Sequence, residues 1–294
     1  MLNKNMLFLG IITIILILIV SIAPAGAETG GVFPEFNWSG RYAGTSMYGI
    51  FLDDPFCIMY NPAYSKLVEN RVGIEQKNIK KINYSALSLV KDNYGSYFII
   101  NQTPKNLNFN YNTYRWANIY ALNWAELTLG LKGEVYYLSV TDISDQPDYS
   151  ATGYSLGLGL DYRREINYHY MDQIYCSLLW DNIISQLNYS TETTEPVGPK
   201  KYSFAFGFTE GGFTAGLNFK KQKGKTGDYN LGIDYVYDQF SYKNLEEVIL
   251  GIGFTSLQKI SAGFGVGFRR FRFNYGYNFK DQETEQNLST SINF

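Results

Sequence analysis

The residues of this chain whose types could support chemistry stand apart from one another. His169 is the one histidine, in Tyr168-His169-Tyr170-Met171-Asp172. A hydrolase working through it would need a serine and an orienting polar group beside it, and a turn or rim histidine is the simpler reading. Asp53-Asp54 lacks the further acidic ligands of a calcium loop, and no His/Cys/Asp/Glu cluster has metal-ligand spacing. Gly263-x-Gly265-x-Gly267 lies inside a strand pattern with no helix after it, which removes the phosphate-loop reading; these glycines instead allow close approach of a neighbouring strand or inner segment. Cys57 and Cys176 are too few and too far apart for a disulfide framework, and no bond between them is expected. No enzyme activity, metal or cofactor follows from these residues.

The clearest element is Ile260 to Phe279. Ile260, Ala262, Phe264, Val266 and Phe268 alternate with Ser261, Gly263, Gly265 and Gly267. In the second run, joined to the first at a double arginine, Phe271, Phe273, Tyr275, Tyr277 and Phe279 alternate with Arg270, Arg272, Asn274, Gly276 and Asn278. Successive strand residues face opposite sides, so this is a hairpin with one aromatic face and one small or polar face. Similar segments recur: Arg71–Asn78, Tyr84–Lys91, Gly95–Gln102, Ala117–Trp124, Glu126–Ser139, Gly153–Arg163, Asp172–Asp181, Lys201–Thr209, Gly212–Lys220, Asp228–Tyr237, Glu246–Thr255, Leu257–Phe268, Arg270–Lys280 and Gln286–Phe294. That makes fourteen strands, an even number as single-chain bacterial barrels require; fusing Ala117–Trp124 with Glu126–Ser139 would point to twelve.

Composition agrees. Aromatics reach 17%, with 26 Tyr, 20 Phe and 28 Gly among 294 residues. An exposed aromatic row on a soluble sheet would be an aggregation hazard. A closed barrel with that row against lipid removes the hazard, whereas a soluble sandwich would bury it between two sheets. By the same alternation Lys132, Glu134, Asp161, Arg163, Asp234, Arg270 and Arg272 point into the lumen, either as mutually paired structural charges or as a polar pathway. The net charge of −2 shows no nucleic-acid footprint, and Lys220, Lys221, Lys223 and Lys225 read as a solvated hairpin loop.

The chain begins with the layout of a secretory signal: Lys4, an apolar run from Met6 to Ile22, and Ala25-Gly26-Ala27 as a cleavage site. The alternative is a membrane anchor. The expected organisation is 1–27 signal peptide, 28–69 N-terminal segment and 70–294 barrel. The segment Glu28–Leu67 carries too many apolar residues for a disordered tail, so it should pack against something. Connections predicted at one end are short (Asp92–Tyr94, Ala125, Glu210–Gly211, Arg269), and those at the other mostly longer (Thr103–Trp116, Val140–Thr152, Asn182–Lys200). Arg164–Met171 and Asp238–Leu245 are long for the short side, while Ile79–Asn83 and Ser256 are short for the long side.

The stretch Gly40-Arg-Tyr-Ala-Gly-Thr-Ser-Met-Tyr-Gly-Ile-Phe-Leu-Asp53-Asp54-Pro55, followed by Tyr60-Asn61-Pro62-Ala63, resembles the N-terminal signature of FadL-like outer-membrane proteins. The PorV/PorQ branch is the closer match, through Leu127–Tyr136, Gly153–Arg163 and the C-terminal Phe264–Tyr277 pattern. Phe294, with Ile292, Thr290 and Leu288 at alternate positions, is similar to the C-terminal signal read by the barrel insertion machinery. The resemblance implies an all-β fold: a transmembrane antiparallel barrel of about 14 strands, with 28–69 folded into the lumen as a hatch. Asp53, Asp54, Pro55, Asn61, Pro62 and Ala63 would form the hatch motif. Two departures stand out: Tyr64 follows Ala63 where the family usually has glycine, and the outer loops are short for external ligand capture.

The resulting expectation is a protein of the bacterial outer membrane, in contact with its lipid, that passes hydrophobic or amphipathic small molecules. The alternative is a PorV-like barrel that engages exported proteins, or a structural barrel without solute traffic.

Overall fold

The computed structural model describes residues 38–47, 50–79, 82–102, 110–141, 148–168, 171–191, 194–222, 227–239, 245–256, 260–279 and 285–294. The expected signal segment, His169, Lys223 and Lys225 lie outside the described residues.

Fifteen strands form one antiparallel sheet: β1 (Arg71–Ile79), β2 (Ile82–Lys91), β3 (Tyr94–Gln102), β4 (Asn110–Trp124), β5 (Leu127–Thr141), β6 (Tyr149–Tyr168), β7 (Met171–Tyr189), β8 (Thr194–Glu195), β9 (Lys201–Glu210), β10 (Phe213–Gln222), β11 (Asp228–Tyr237), β12 (Leu245–Thr255), β13 (Ile260–Phe268), β14 (Phe271–Phe279) and β15 (Glu285–Asn293). β1 pairs with β15 as well as β2, and β6 with β7 as well as β5. Fourteen strands therefore close into a ring, and β8 pairs only with β7. Closure leaves no free sheet edge, which is the condition for strands to stand in hydrocarbon.

The two faces are sorted as the alternation predicts. Outward positions such as Leu231, Ile252, Phe264, Phe273 and Leu288 are large, apolar and uncovered by protein. Their inward neighbours Asn230, Asp234, Ser261, Asn274 and Ser289 are buried. Apolar groups outside and polar groups inside is the reverse of a water-soluble protein, and it fits lipid as the outer solvent. The inner face is not uniformly polar, however. Tyr84, Ala86, Val90, Tyr97, Ile99, Ala117 and Ile119 of β2–β4 also point inward and pack against the segment between Trp38 and Val68. The interior is thus filled by the chain's own polypeptide, which answers where the apolar residues of that segment go.

One end carries two-residue turns at Asp92–Asn93, Ala125–Glu126, Gly211–Gly212 and Arg269–Arg270. Each starts with a positive φ of 52–55°, the sign favoured by right-twisted hairpins. Ala125 therefore separates two strands rather than lying in one fused strand. Several expected loops are shorter than read from sequence. β4 starts at Asn110, β6 runs from Tyr149 to Tyr168, and β7 resumes at Met171 and continues to Tyr189. The Tyr- and Thr-containing flanks have strand preferences of their own, and they extend β4–β7 beyond the 9–11 residues that a tilted spanning strand needs. Arg270 is a correction. The reversal takes two residues, not one, so Arg270 sits exposed in the turn rather than inside the lumen.

Replacing Leu231, 52% exposed at mid-strand, by Arg should cost about 2–4 kcal/mol in vesicle-based unfolding, the usual price of a cation on a lipid face. A change within about 0.5 kcal/mol, typical of a water-exposed position, would contradict this orientation.

Candidate functional site

The interior segment is built from three short helical pieces. α1 (Gly40–Thr45) is capped by Ser39, whose hydroxyl accepts the Arg41 amide at 3.1 Å. Two 3-10 turns follow, Pro55–Met59 and Pro62–Lys66. Both use one device: a side-chain oxygen caps the turn and proline takes the first helical position, where no amide hydrogen is needed. Asp54 accepts from the Phe56 amide at 2.9 Å, and Asn61 from the Ala63 amide at 3.0 Å.

The two caps differ in what surrounds them. Asp54 meets only donors: besides Phe56, it accepts from the Ser39 hydroxyl at 2.7 Å and the Asn274 amide at 3.3 Å. Asn61 meets donors and acceptors. Its amide donates to the carbonyls of Leu160 (3.1 Å) and Leu178 (3.2 Å), register partners on β6 and β7. A carboxylate could cap the second turn but could not serve those carbonyls.

Missing side chains let the segment reach the wall. Gly130 and Gly159 are cross-strand partners on β5 and β6. A Cβ on Gly159 would strike the Asn61 carboxamide and stand 2.7 Å from Pro62; one on Gly130 would enter the Pro62–Ala63 backbone. Gly263 and Gly276, also partners, lie beneath α1 in the same way, with a Gly276 Cβ 2.7 Å from the Gly44 nitrogen.

Charge fixes the other contacts. Arg41 forms a two-pronged pair with Asp234, at 2.5 and 3.2 Å, with both side chains almost fully buried. The Asp53 carbonyl accepts from Arg41 at 3.1 Å, Arg71 at 3.0 Å and Arg272. Its carboxylate accepts from Arg71 at 3.0 Å and Arg272 at 3.2 Å. Arg272 also pairs with Glu247. Burial raises the Asp53 pKa, but Arg272, Arg71 and Arg41 outweigh it and hold the group below 3.8. At Asp54 burial prevails over the hydrogen bonds from Ser39 and Phe56, and the pKa rises. Asp53 and Arg272 line an open cleft of about 270 Å³ at the two-residue-turn end, with the exposed Arg270 at its rim.

A second charged group lies on the inner wall of the neighbouring strands β3–β7. Lys132 lies 2.9 Å from Asp181 and 3.1 Å from Glu134, which in turn meets Arg115 at 2.6 Å and the hydroxyls of Tyr97 and Tyr136. Asp161 and Arg163 pair at 2.6 Å, and the Arg163 guanidinium lies 4.1 Å over the Phe51 ring. Lys132, Glu134, Asp161, Arg163, Asp234 and Arg272 thus point inward, and each has an opposite charge in contact. Arg71, Glu75, Lys77 and Asp181 share this role, and strand alternation could have found them. Arg41 could not be found that way, because no strand period covers α1.

Above this belt, towards the longer connections, the inner wall changes character. Tyr136, Leu138 and Val140 of β5, Ala151 of β6 and Leu187 of β7 form an apolar patch, covered by Val197 and bordered by Tyr111, Tyr149 and Tyr189. Beside it the β6–β7 register slips between Leu156 and Leu158, and the buried Asn182 takes a φ of 54°. Cys57 is buried in the interior segment, while Cys176 lies on the outward face of β7; both are free.

No family model and no curated protein matches the chain. Solved structures share its fold. The toluene transporter TbuX of Ralstonia pickettii aligns with 87% of this chain and 97% of its own, at 10% identity and a TM-score of 0.50. The toluene transporter TodX of Pseudomonas putida aligns with 92% of this chain and 100% of its own, at 10% identity and a TM-score of 0.53. A Pseudomonas aeruginosa FadL homologue gives 87%, 98%, 10% and 0.52 for the same quantities. The fold is that of FadL-like barrels. These likenesses do not show the PorV/PorQ branch.

Asn61→Asp should destabilise the barrel more than Asn61→Ala, by about 1–3 kcal/mol, because it leaves a buried carboxylate facing two carbonyls; equal losses would remove the two-sided role of Asn61. For Asp53 the depressed pKa contributes stability above pH 3.8 that is lost as pH falls through the native value. About a third of this side chain is exposed, so Asp53→Asn should cost no more than about 1 kcal/mol at neutral pH. An acid titration of unfolding checks it: the wild type should lose that margin below pH 3.8, and the variant should not.

Proposed function

We propose that this chain is a channel of the bacterial outer membrane for small apolar or amphipathic molecules, and that it binds them without chemical change. The observation that carries this reading is the buried apolar cluster on the inner wall, Leu138, Val140, Ala151 and Leu187, which lies apart from the apolar residues that pack against the interior segment. A water-filled pore has no use for such a surface, whereas a solute leaving water does. Three tyrosines at its border offer aromatic faces with a polar tip, which suits planar hydrocarbon or amphipathic solutes. Likeness in fold to toluene transporters points the same way.

The route is stepped. A solute enters between the longer connections, displaces Val197 and rests on the apolar patch. The Arg115–Lys132–Glu134–Asp181 belt and the interior segment close the straight path below. Passage then requires a shift of the interior segment as a hatch, with Asn61-Pro62-Ala63 leaving its glycine seat, or a gap in the wall at the β6–β7 irregularity. The outer-membrane lipid covers the aromatic face. The alternative of an exported-protein partner draws on no surface among the described residues.

The test is uptake of labelled toluene by Gram-negative cells that lack their own hydrocarbon channels, since their outer leaflet resists such solutes. Expression should raise uptake several-fold. Leu138→Asp should remove at least nine-tenths of the gain while the folded barrel keeps its heat-dependent gel mobility. Uptake equal to that of cells without the protein would refute the reading.

A further inference from the structure

The interior segment is attached to the wall in two different ways, and the change falls at Pro55. From Ser39 to Asp54 buried ion pairs are added to the apolar contacts of Tyr42, Met47, Ile50 and Leu52. Arg41 is paired with Asp234 on β11, and Asp53 with Arg71 on β1 and Arg272 on β14. Asp54 takes Asn274 of β14, the Ser39 amide reaches Glu75 of β1, and the Gly40 amide donates to Ser289 of β15 at 3.1 Å. Of these strands β1, β14 and β15 flank one place in the barrel, where the two ends of the sheet meet and β1 pairs with β15 from Arg71↔Asn293 to Gln76↔Leu288; β11 stands three strands beyond β14. Arg71 also bonds Asn293 across that junction.

From Phe56 to Leu67 the contacts are neutral. Asn61 donates to two carbonyls, and Tyr64 donates to Ser177 at 3.0 Å. Phe56, Ile58 and Tyr64 are buried among apolar neighbours. The only charged side chain in this stretch, Lys66, is exposed. Within this half Pro55–Met59 rests on β1 and β2, and Pro62–Lys66 rests on β3–β6, away from the junction. An apolar solute can take over apolar contacts, but it cannot take the place of a buried charge's partner.

We infer that the interior segment is two devices joined at Asp54-Pro55: Ser39–Asp54 is a fixed brace that holds the closing junction of the barrel, keyed by Asp53, and Phe56–Leu67 alone moves to pass a solute. The second half of this statement rests on the channel reading; the first does not. Asp53 is a positioning residue. It joins β1 and β14 from within and sets the point from which the second half swings.

Two disulfides separate the halves, each in a chain with Cys57 and Cys176 changed to Ala. A Cβ on Gly251 would stand 3.7 Å from the Thr45 Cβ, and one on Gly95 3.2 Å from the Ser65 Cβ, within or near the span a disulfide bridges. Oxidised Ser65→Cys/Gly95→Cys should lose at least nine-tenths of toluene uptake and regain it on reduction with a membrane-impermeant phosphine. Oxidised Thr45→Cys/Gly251→Cys should transport like the parent. Block by the second pair, or transport through the first, overturns the division. Hydrogen exchange of the wild type decides the brace without any solute. Hydrogen-bonded amides of 39–54 should exchange at least tenfold more slowly than those of 56–67, and Asp53→Ala should raise exchange at Arg71–Gln76 about threefold. Equal rates in the two halves, or an unmoved junction in Asp53→Ala, overturn it. If the parent shows no uptake while exchange follows this pattern, the channel reading fails and the brace stands.

Discussion

A backbone in hydrocarbon must find all its hydrogen-bond partners within the protein, and the rest of this structure follows from that demand. The sheet can meet it only by closing, and fourteen strands close around a space too wide for their own side chains to fill. Water could occupy that space, but here the chain does. The 3-10 turns and α1 bring backbone amides into the lumen already capped, so filling the barrel does not recreate the unpaired groups that closure removed. The paired glycines at 130/159 and 263/276 then set how closely the filler approaches the wall.

Ion pairs decide where the filler sits more than how stable it is. A buried pair such as Arg41–Asp234 returns little net energy against its desolvation, yet removing one partner costs about 3–5 kcal/mol. That asymmetry makes such pairs good address labels. An interior segment shifted by one residue would keep most of its apolar burial and lose nearly every charged partner. The Glu134 belt acts similarly on the wall. Its two tyrosines and two cations are satisfied by one carboxylate.

Much of this was legible in the residues because strand alternation is a strict code. Ile260–Phe279 alone gives both faces of a hairpin, and Lys132, Glu134, Asp161 and Asp234 fall inward by counting in twos. The code fails where the period is interrupted. Alternation places Arg270 in a strand because a two-residue reversal cannot be told from a one-residue one by pattern alone. The alternation in β7 breaks after Asp181 and suggests an end there, although the strand runs on through the irregularity at Asn182 to Tyr189. Nor could counting show that β2–β4 carry apolar residues on both faces for a reason. Tyr97 and Ile119 face a protein interior, not a lumen of water, and that depends on a segment far away in sequence.

Asp54-Pro55 and Asn61-Pro62 show most directly what sequence carries and what it does not. As local signals they are equivalent, since each caps a turn and each places proline where a missing amide hydrogen does no harm. Their difference of one atom type is meaningless until the surroundings are known. Asp54 sits where three donors converge, so a group that only accepts is required. Asn61 sits over the β6–β7 pair, where one side offers an amide and the other offers two carbonyls, so a group that both accepts and donates is required. The choice of acid or amide at each cap is therefore made by the wall, not by the turn. It follows that the first turn is tied to the sheet through a charge-accepting site beside the Asp53 cluster, and the second through bonds between neutral groups. The mechanical asymmetry of the interior segment is already written in that one substitution of nitrogen for oxygen.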